Sequence, residues 1–169
     1  ALDDGDLNFE QIKNFSIKRK IVSKSFFDFE QMESGSASEF EEIIQTIQNE
    51  FPAEKIYDEK ELQAQLTIFL KTKYPDSDVE REISNNEGGF VDILMDDKYA
   101  FELKVPRSRT ELRNLRAQIE EYQEDYSNLC VVIFENEYYD ISEDIEKYVD
   151  IYREKYDVPS VVLHGRKRK

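Results

Sequence analysis

Tryptophan is absent from the 169 residues, and cysteine and histidine occur once each. A single thiol excludes an internal disulfide and suits a reducing, cytoplasmic setting. Cys130 lies in Leu-Cys-Val-Val-Ile-Phe, where a small buried thiol is expected rather than a nucleophile. The His and Cys spacing that a zinc centre needs is missing. No glycine-rich phosphate loop follows a strand-like run, which disfavours Rossmann and P-loop readings. No apolar run approaches the length of a membrane span, and the N-terminus lacks the apolar core of a signal peptide. Internal repeats and low-complexity blocks are also absent. The chain opens on Ala rather than Met, which reads as a domain cut from a longer protein. Positive charge is scarce: 23 Lys and Arg stand against 38 Asp and Glu, for a net charge of −15. That balance opposes unaided approach to nucleic acid or to an anionic membrane. A function on nucleic acid would need a local basic patch, a metal ion or a partner domain.

Hydrophobic residues make up 39% of the chain, with 11 Phe and 10 Tyr supplying most of the bulk. That is enough for one core plus an appendage. Residues 1–32 mix alternation with longer spacings and support either strand or helix. Lys18, Arg19, Lys20 and Lys24 form a basic island there, best read as a solvated face. Glu33-Ser-Gly-Ser-Ala-Ser38 has linker composition, so residues 1–37 are expected to be an N-terminal extension, helical or mixed, with its linker. A helix is expected from Ser38, where Ser38 and Glu41 form a capping box and Phe40, Ile43, Ile44, Ile47 and Phe51 follow helical spacing as far as Pro52. Asp58 is the expected N-cap of a second helix carrying Leu62, Leu66, Phe69 and Leu70 on one face and running to Lys73. Val79, Arg81 and Ile83 alternate with Glu80 and Glu82, as in an outer strand.

A hairpin comes next, followed by a helix over 107–125 with the stripe Leu112, Leu115, Ile119 and Tyr122. Leu129 to Phe134 is continuous, short and rich in Val and Ile, as a buried central strand should be. Ser142 opens a further amphipathic helix through Ile145, Val149 and Tyr152, and residues 160–163 form a last short strand. Arg166-Lys-Arg-Lys169 is a basic tail. The order helix, three strands, helix, strand, helix, strand predicts an α/β domain over 38–165 with helices covering a sheet.

The hairpin holds the chemistry. Gly88 to Val105 contains two apolar runs around the polar turn Asp96-Asp97. Asp92 interrupts the first run; Glu102 and Lys104 share one face of the second, opposite Phe101, Leu103 and Val105. Charges in half-buried strands are costly unless paired or holding a metal. Across a hairpin, Asp92 and Glu102 can face each other as a pair of hard oxygen donors suited to Mg²⁺ or Mn²⁺, with Lys104 beside the ion. Such a set suits phosphodiester hydrolysis. Glu59 lies on the edge of the second helix's buried stripe, whereas Glu61 is expected to point to solvent. Arg107, Arg109, Arg113 and Arg116 concentrate positive charge after the lysine, the last three on one helix face, where guanidinium groups could hold phosphates.

Phe-Val-Asp92-Ile-Leu followed by Phe-Glu102-Leu-Lys104 resembles the PD-(D/E)xK nuclease superfamily, the restriction-endonuclease-like fold, with Val91 standing where the family name has Pro. Glu59-Lys-Glu-Leu62 resembles the first-helix glutamate motif of archaeal Holliday-junction resolvases, and Gln118-Ile-Glu-Glu-Tyr122 is similar to the Gln-x-x-x-Tyr motif of RecB-type nucleases. The resemblance covers Glu59 to Tyr122 and implies a restriction-endonuclease-like core acting on DNA with Mg²⁺ or Mn²⁺. It implies Asp92, Glu102 and Glu59 as metal ligands, Lys104 as the catalytic lysine and Gln118 in support, with Tyr122 and the arginines near substrate. RNA as substrate, a further domain or protein partner and a homodimer remain open.

Each residue also has a structural reading. Asp92 could cap the turn after Gly88-Gly89, and Glu102 and Lys104 could be a solvent-facing pair on an edge strand. Glu59 could be a first-turn acid, Tyr122 could be core, and the arginines could pair with Glu111, Glu120 and Glu121. Gln118 falls between Leu115 and Tyr122, where a buried amide is harder to explain as filler. His164 is expected on the surface at a strand end. A nuclease-like module kept for binding or assembly, without catalysis, is the alternative function.

Overall fold

The computed structural model describes residues 28–84 and 89–165. The basic island at Lys18 to Lys24, the rest of residues 1–27, Gly88 at the start of the hairpin and the basic tail lie outside the described residues. The chain divides into two compact units, 1–43 and 44–169. In the first, the described residues are the N-terminal part of α1 (Asp28–Glu50). This helix runs through 33–38, which corrects both the expected linker and the expected start at Ser38. The segment contains no proline, and extending a formed helix by one residue is much cheaper than nucleating a new one.

The second unit contains α2 (Glu59–Lys73), β1 (Val79–Ser84), β2 (Phe90–Met95), β3 (Tyr99–Lys104), α3 (Arg109–Gln123), β4 (Asn128–Glu135), α4 (Ser142–Tyr156) and β5 (Ser160–His164). One five-stranded sheet runs in the order β1-β2-β3-β4-β5. The first three strands are antiparallel, and β4 and β5 are parallel to β3. The domain is α/β with a mixed sheet, and β1 is an outer strand as its alternation predicts.

Local chemistry explains the element ends. Asp58 caps α2, its Oδ1 accepting from the Glu61 N–H at 2.9 Å. Glu61 folds back over the same end and accepts from the Tyr57 N–H at 2.6 Å, so it does not point freely to solvent as expected. Ser108 caps α3 through the Glu111 N–H. Asp157, at φ 57°, closes α4 with its N–H on the Arg153 carbonyl and the Val158 N–H on that of Tyr152. The hairpin turn uses two left-handed residues, Asp96 at 53° and Asp97 at 58°, with the Lys98 N–H bonded to the Met95 carbonyl. These are φ values of a type I′ turn, whose twist matches the flanking strands.

Ala100, Leu129, Val131 and Ile133 present one sheet face to the stripe Leu112, Leu115, Ile119 and Tyr122 of α3 and to Ile145, Tyr148 and Tyr152 of α4. By strand alternation Phe101, Leu103, Cys130 and Val132 project to the other face. Cys130 is fully buried, as expected. Leu62, Leu66 and Leu70 of α2 are also buried, and α2 packs on β1, β2 and β3. Gln48 exchanges two hydrogen bonds with the Val162 backbone, at 3.0 and 3.3 Å, partnering the outer strand β5. Among the described residues no helix is long and apolar enough to cross a membrane.

Candidate active site

β2 and β3 pair from Met95–Tyr99 to Ile93–Phe101 and then part. On its other side β2 pairs with β1 before and after Asp92 but not at Asp92, where the opposing Glu82 takes a left-handed φ of 55°. Asp92 is therefore left out of both ladders. Its carbonyl accepts from Gln63 Nε2 at 2.9 Å, and its carboxylate Oδ2 accepts from the Leu103 N–H at 2.8 Å. The main chains fork at this point while the Asp92 side chain bridges the gap.

Glu102 stands next to that bridge. It is 4% exposed, and its carboxyl is pushed up to about 10, first by burial, then by a hydrogen bond to Asp92 and by the Asp92 charge. Lys104 pulls it down and Glu59 pushes it further up. The Glu102 Oε1 atom is buried and has no hydrogen-bond partner. Glu59, in the first turn of α2, reaches the end of β3, where its Oε2 accepts from the Val105 N–H at 2.7 Å. Tyr122 donates its hydroxyl to the Phe90 carbonyl at 2.6 Å. Burial, and then the charges of Glu102 and Asp92, raise the Tyr122 hydroxyl pKa.

Asp92, Glu102, Lys104, Glu59 and Tyr122 are thus brought together from β2, β3, α2 and α3. Gln118 is not buried with them. It is exposed, which corrects the expectation of a buried amide. The buried stripe passes through Leu115, Ile119 and Tyr122, and Gln118 is rotated about 100° from Ile119. Arg107, Arg109 and Arg113 are exposed and Arg116 is half-buried. Arg109 Nε lies 3.9 Å from Asp144, and Arg116 Nε donates to the Tyr156 hydroxyl at 3.3 Å, so both engage α4. Tyr156 in turn donates to Glu120 at 2.7 Å. His164 is exposed, 3.4 Å from Glu135. Gln63 is the site residue that sequence reasoning missed. Its only signal is a position four residues after Glu59, on the same helix edge.

Among the described residues, no three His, Cys, Asp or Glu side chains are already gathered as a metal cage. The donor set nevertheless fits a hard divalent cation. Asp92 and Glu102 offer adjacent carboxylates, with Glu59 as a third acid near them. The buried, unpartnered Glu102 oxygen is an acceptor with capacity to spare. Family models, curated proteins and solved structures show no match to this chain.

Proposed function

We propose that the chain is a Mg²⁺- or Mn²⁺-dependent nuclease of the PD-(D/E)xK type that hydrolyses phosphodiester bonds in DNA. The observation that carries this reading is the contact between Glu102 and Asp92 at a forked hairpin, beside Lys104 and with one Glu102 oxygen buried and unpartnered. A carboxyl buried for stability alone would be matched by a full partner; pressing it against a second carboxylate raises the cost. The order of α2, β1, β2, β3, α3 and β4 adds support. It is the order helix, three strands, helix and strand that the sequence predicts.

In this mechanism Asp92 and Glu102 would hold the cation, with Glu59 as a third acid near them. When bound, such an ion offsets charge on a phosphate and lowers the pKa of water. Lys104 stands beside the carboxylates, where its side chain would orient water or stabilise charge on the pentacovalent phosphate. The Leu103 N–H holds Asp92 and the Val105 N–H holds Glu59, so two carboxylates are oriented before substrate arrives. Gln63 acts one step back as a positioning residue, through the Asp92 carbonyl.

Lys104→Ala is expected to abolish metal-dependent plasmid cleavage with an unchanged circular dichroism spectrum; undiminished cleavage would overturn the mechanism. A second reading, a nuclease-like module kept for binding or assembly, is favoured by the net charge of −15. Calorimetry separates the two. A competent site binds Mn²⁺ and loses it on Asp92→Ala, and no binding at millimolar Mn²⁺ would favour the second reading.

A further inference from the structure

Because β2 runs antiparallel to β3 while β4 and β5 run parallel to it, β2 begins at the end of the sheet where the other three finish. Phe90, Lys104, Glu135 and His164 therefore follow one another along a single sheet end. At about 4.8 Å between strands, this end spans about 14 Å from β2 to β5. The carboxylates belong to β2 and β3. Next to them, at the ends of β4 and β5, a cleft of about 880 Å³ opens, its further wall made by residues 54–57 just before Glu59. The cleft does not include the carboxylates themselves; Glu59 and the Lys104–Ile133 register join the two regions.

Exposed aromatic rings gather along this end. Among the described residues the exposed large apolar side chains are Tyr57, Ile68, Phe90 and Tyr138. Tyr57 and Tyr138 line the cleft, 54% and 75% exposed, and Phe90, 56% exposed, lies two residues before Asp92. Both tyrosine backbones are pinned. The Tyr57 N–H is bonded to Glu61, and the Tyr138 N–H to Oδ1 of the buried Asn136 at 2.9 Å. A ring on a pinned backbone loses little freedom when a partner stacks on it. The surrounding charge does not suit a polyanionic backbone, since Glu54, Glu135 and Glu137 line the cleft against Lys55 and His164. Affinity at this surface has to come from bases rather than phosphates.

We propose that this sheet end is a track for an unpaired DNA strand, whose bases stack on Tyr57 and Tyr138 in the cleft and on Phe90 at the other flank. Its backbone crosses the Asp92–Glu102 pair between them. The proposal rests on the nuclease reading and deepens it by naming the form of the substrate. Rings of this kind need free base faces, which a duplex covers with its own neighbours, and each stacked base contributes about 5- to 150-fold in affinity.

Fluorescence anisotropy of labelled oligothymidylate and of a duplex of equal length tests the track. The measurement uses the full chain carrying Lys104→Ala in Mg²⁺, with strand integrity checked on gels. Single strand is expected to bind at least about tenfold tighter than duplex. Tyr57→Ala with Tyr138→Ala should remove that preference, and Tyr57→Phe with Tyr138→Phe should keep it. Equal or tighter duplex binding, no single-strand binding, or an alanine pair that binds like the parent would each overturn the track. Cleavage by the wild-type chain separates the two levels. Metal-dependent cleavage with tyrosine-independent binding overturns the track and leaves the nuclease reading. Tyrosine-dependent single-strand binding without any cleavage supports the track and removes the nuclease.

Discussion

At Glu102 burial is the leading cause of a carboxyl pKa near 10, against an ordinary value of 4.5. Between those values the folded, cation-free protein holds a proton that the unfolded chain releases. Its stability therefore falls as pH rises from about 4.5 towards about 10. Glu102→Gln keeps the shape and removes this linkage. Thermal melts of the cation-free variant should be flatter across that range and higher at neutral pH, by roughly 2–4 °C for each kcal/mol recovered. The same variant should lose Mn²⁺ binding and cleavage. Asp92, Glu102 and Lys104 were legible because charged residues inside apolar alternating runs are costly and so stand out. Gln118 lies one step of helical rotation off the buried stripe, and at the stripe's edge the packing of α3 on the sheet decides which side chains are covered. Gln63 gave almost no signal, since a glutamine on a helix is ordinary until the strand opposite it forks.

At the scale of elements, α2 and the hairpin organise the site together. Gln63 satisfies the Asp92 carbonyl that neither neighbouring strand reaches. Gln63→Leu, which removes the donor and fills similar space, should lower Mn²⁺ affinity or cleavage by about 10- to 100-fold with the fold retained. Calorimetry and plasmid nicking read this directly, and parental affinity together with parental cleavage would refute the positioning role. The turn offers a test of fold alone. Asp97 sits at φ 58°, and Asp97→Gly relieves the left-handed strain, an expected gain of about 1 kcal/mol measurable as a raised urea midpoint. The hairpin, the Asp58 cap and the stripes were readable from period and turn chemistry, whereas the capping box at Ser38 falls inside a helix. The continuity of α1 through 33–38 was not, because composition alone does not distinguish a flexible linker from residues carried along inside a helix already formed.

For the whole molecule the net charge of −15 sets the binding problem. A basic nucleic-acid binder weakens steeply with salt because it releases counterions from DNA. In the proposed track stacking would carry affinity against a repulsive long-range field, so the slope of log affinity against log salt is expected near zero or slightly positive. Anisotropy titrations over a salt series measure it. A steep loss of affinity would instead assign binding to basic residues, such as the exposed Arg107 and Arg113 or the basic segments Lys18 to Lys24 and Arg166 to Lys169.

By itself the sequence determined the order of the elements, the helix stripes, the hairpin and the three charged residues it carries. These follow from periods of two and 3.6 residues and from turn chemistry, which are properties of a few neighbouring residues. Only the tertiary structure decided the strand order, the fork at Asp92, the outward turn of Gln118 and the cleft that Tyr57 and Tyr138 line. Each depends on groups far apart in the chain, 29 residues for Gln63 and Asp92 and 46 for Glu59 and Val105, whose meeting no local pattern specifies.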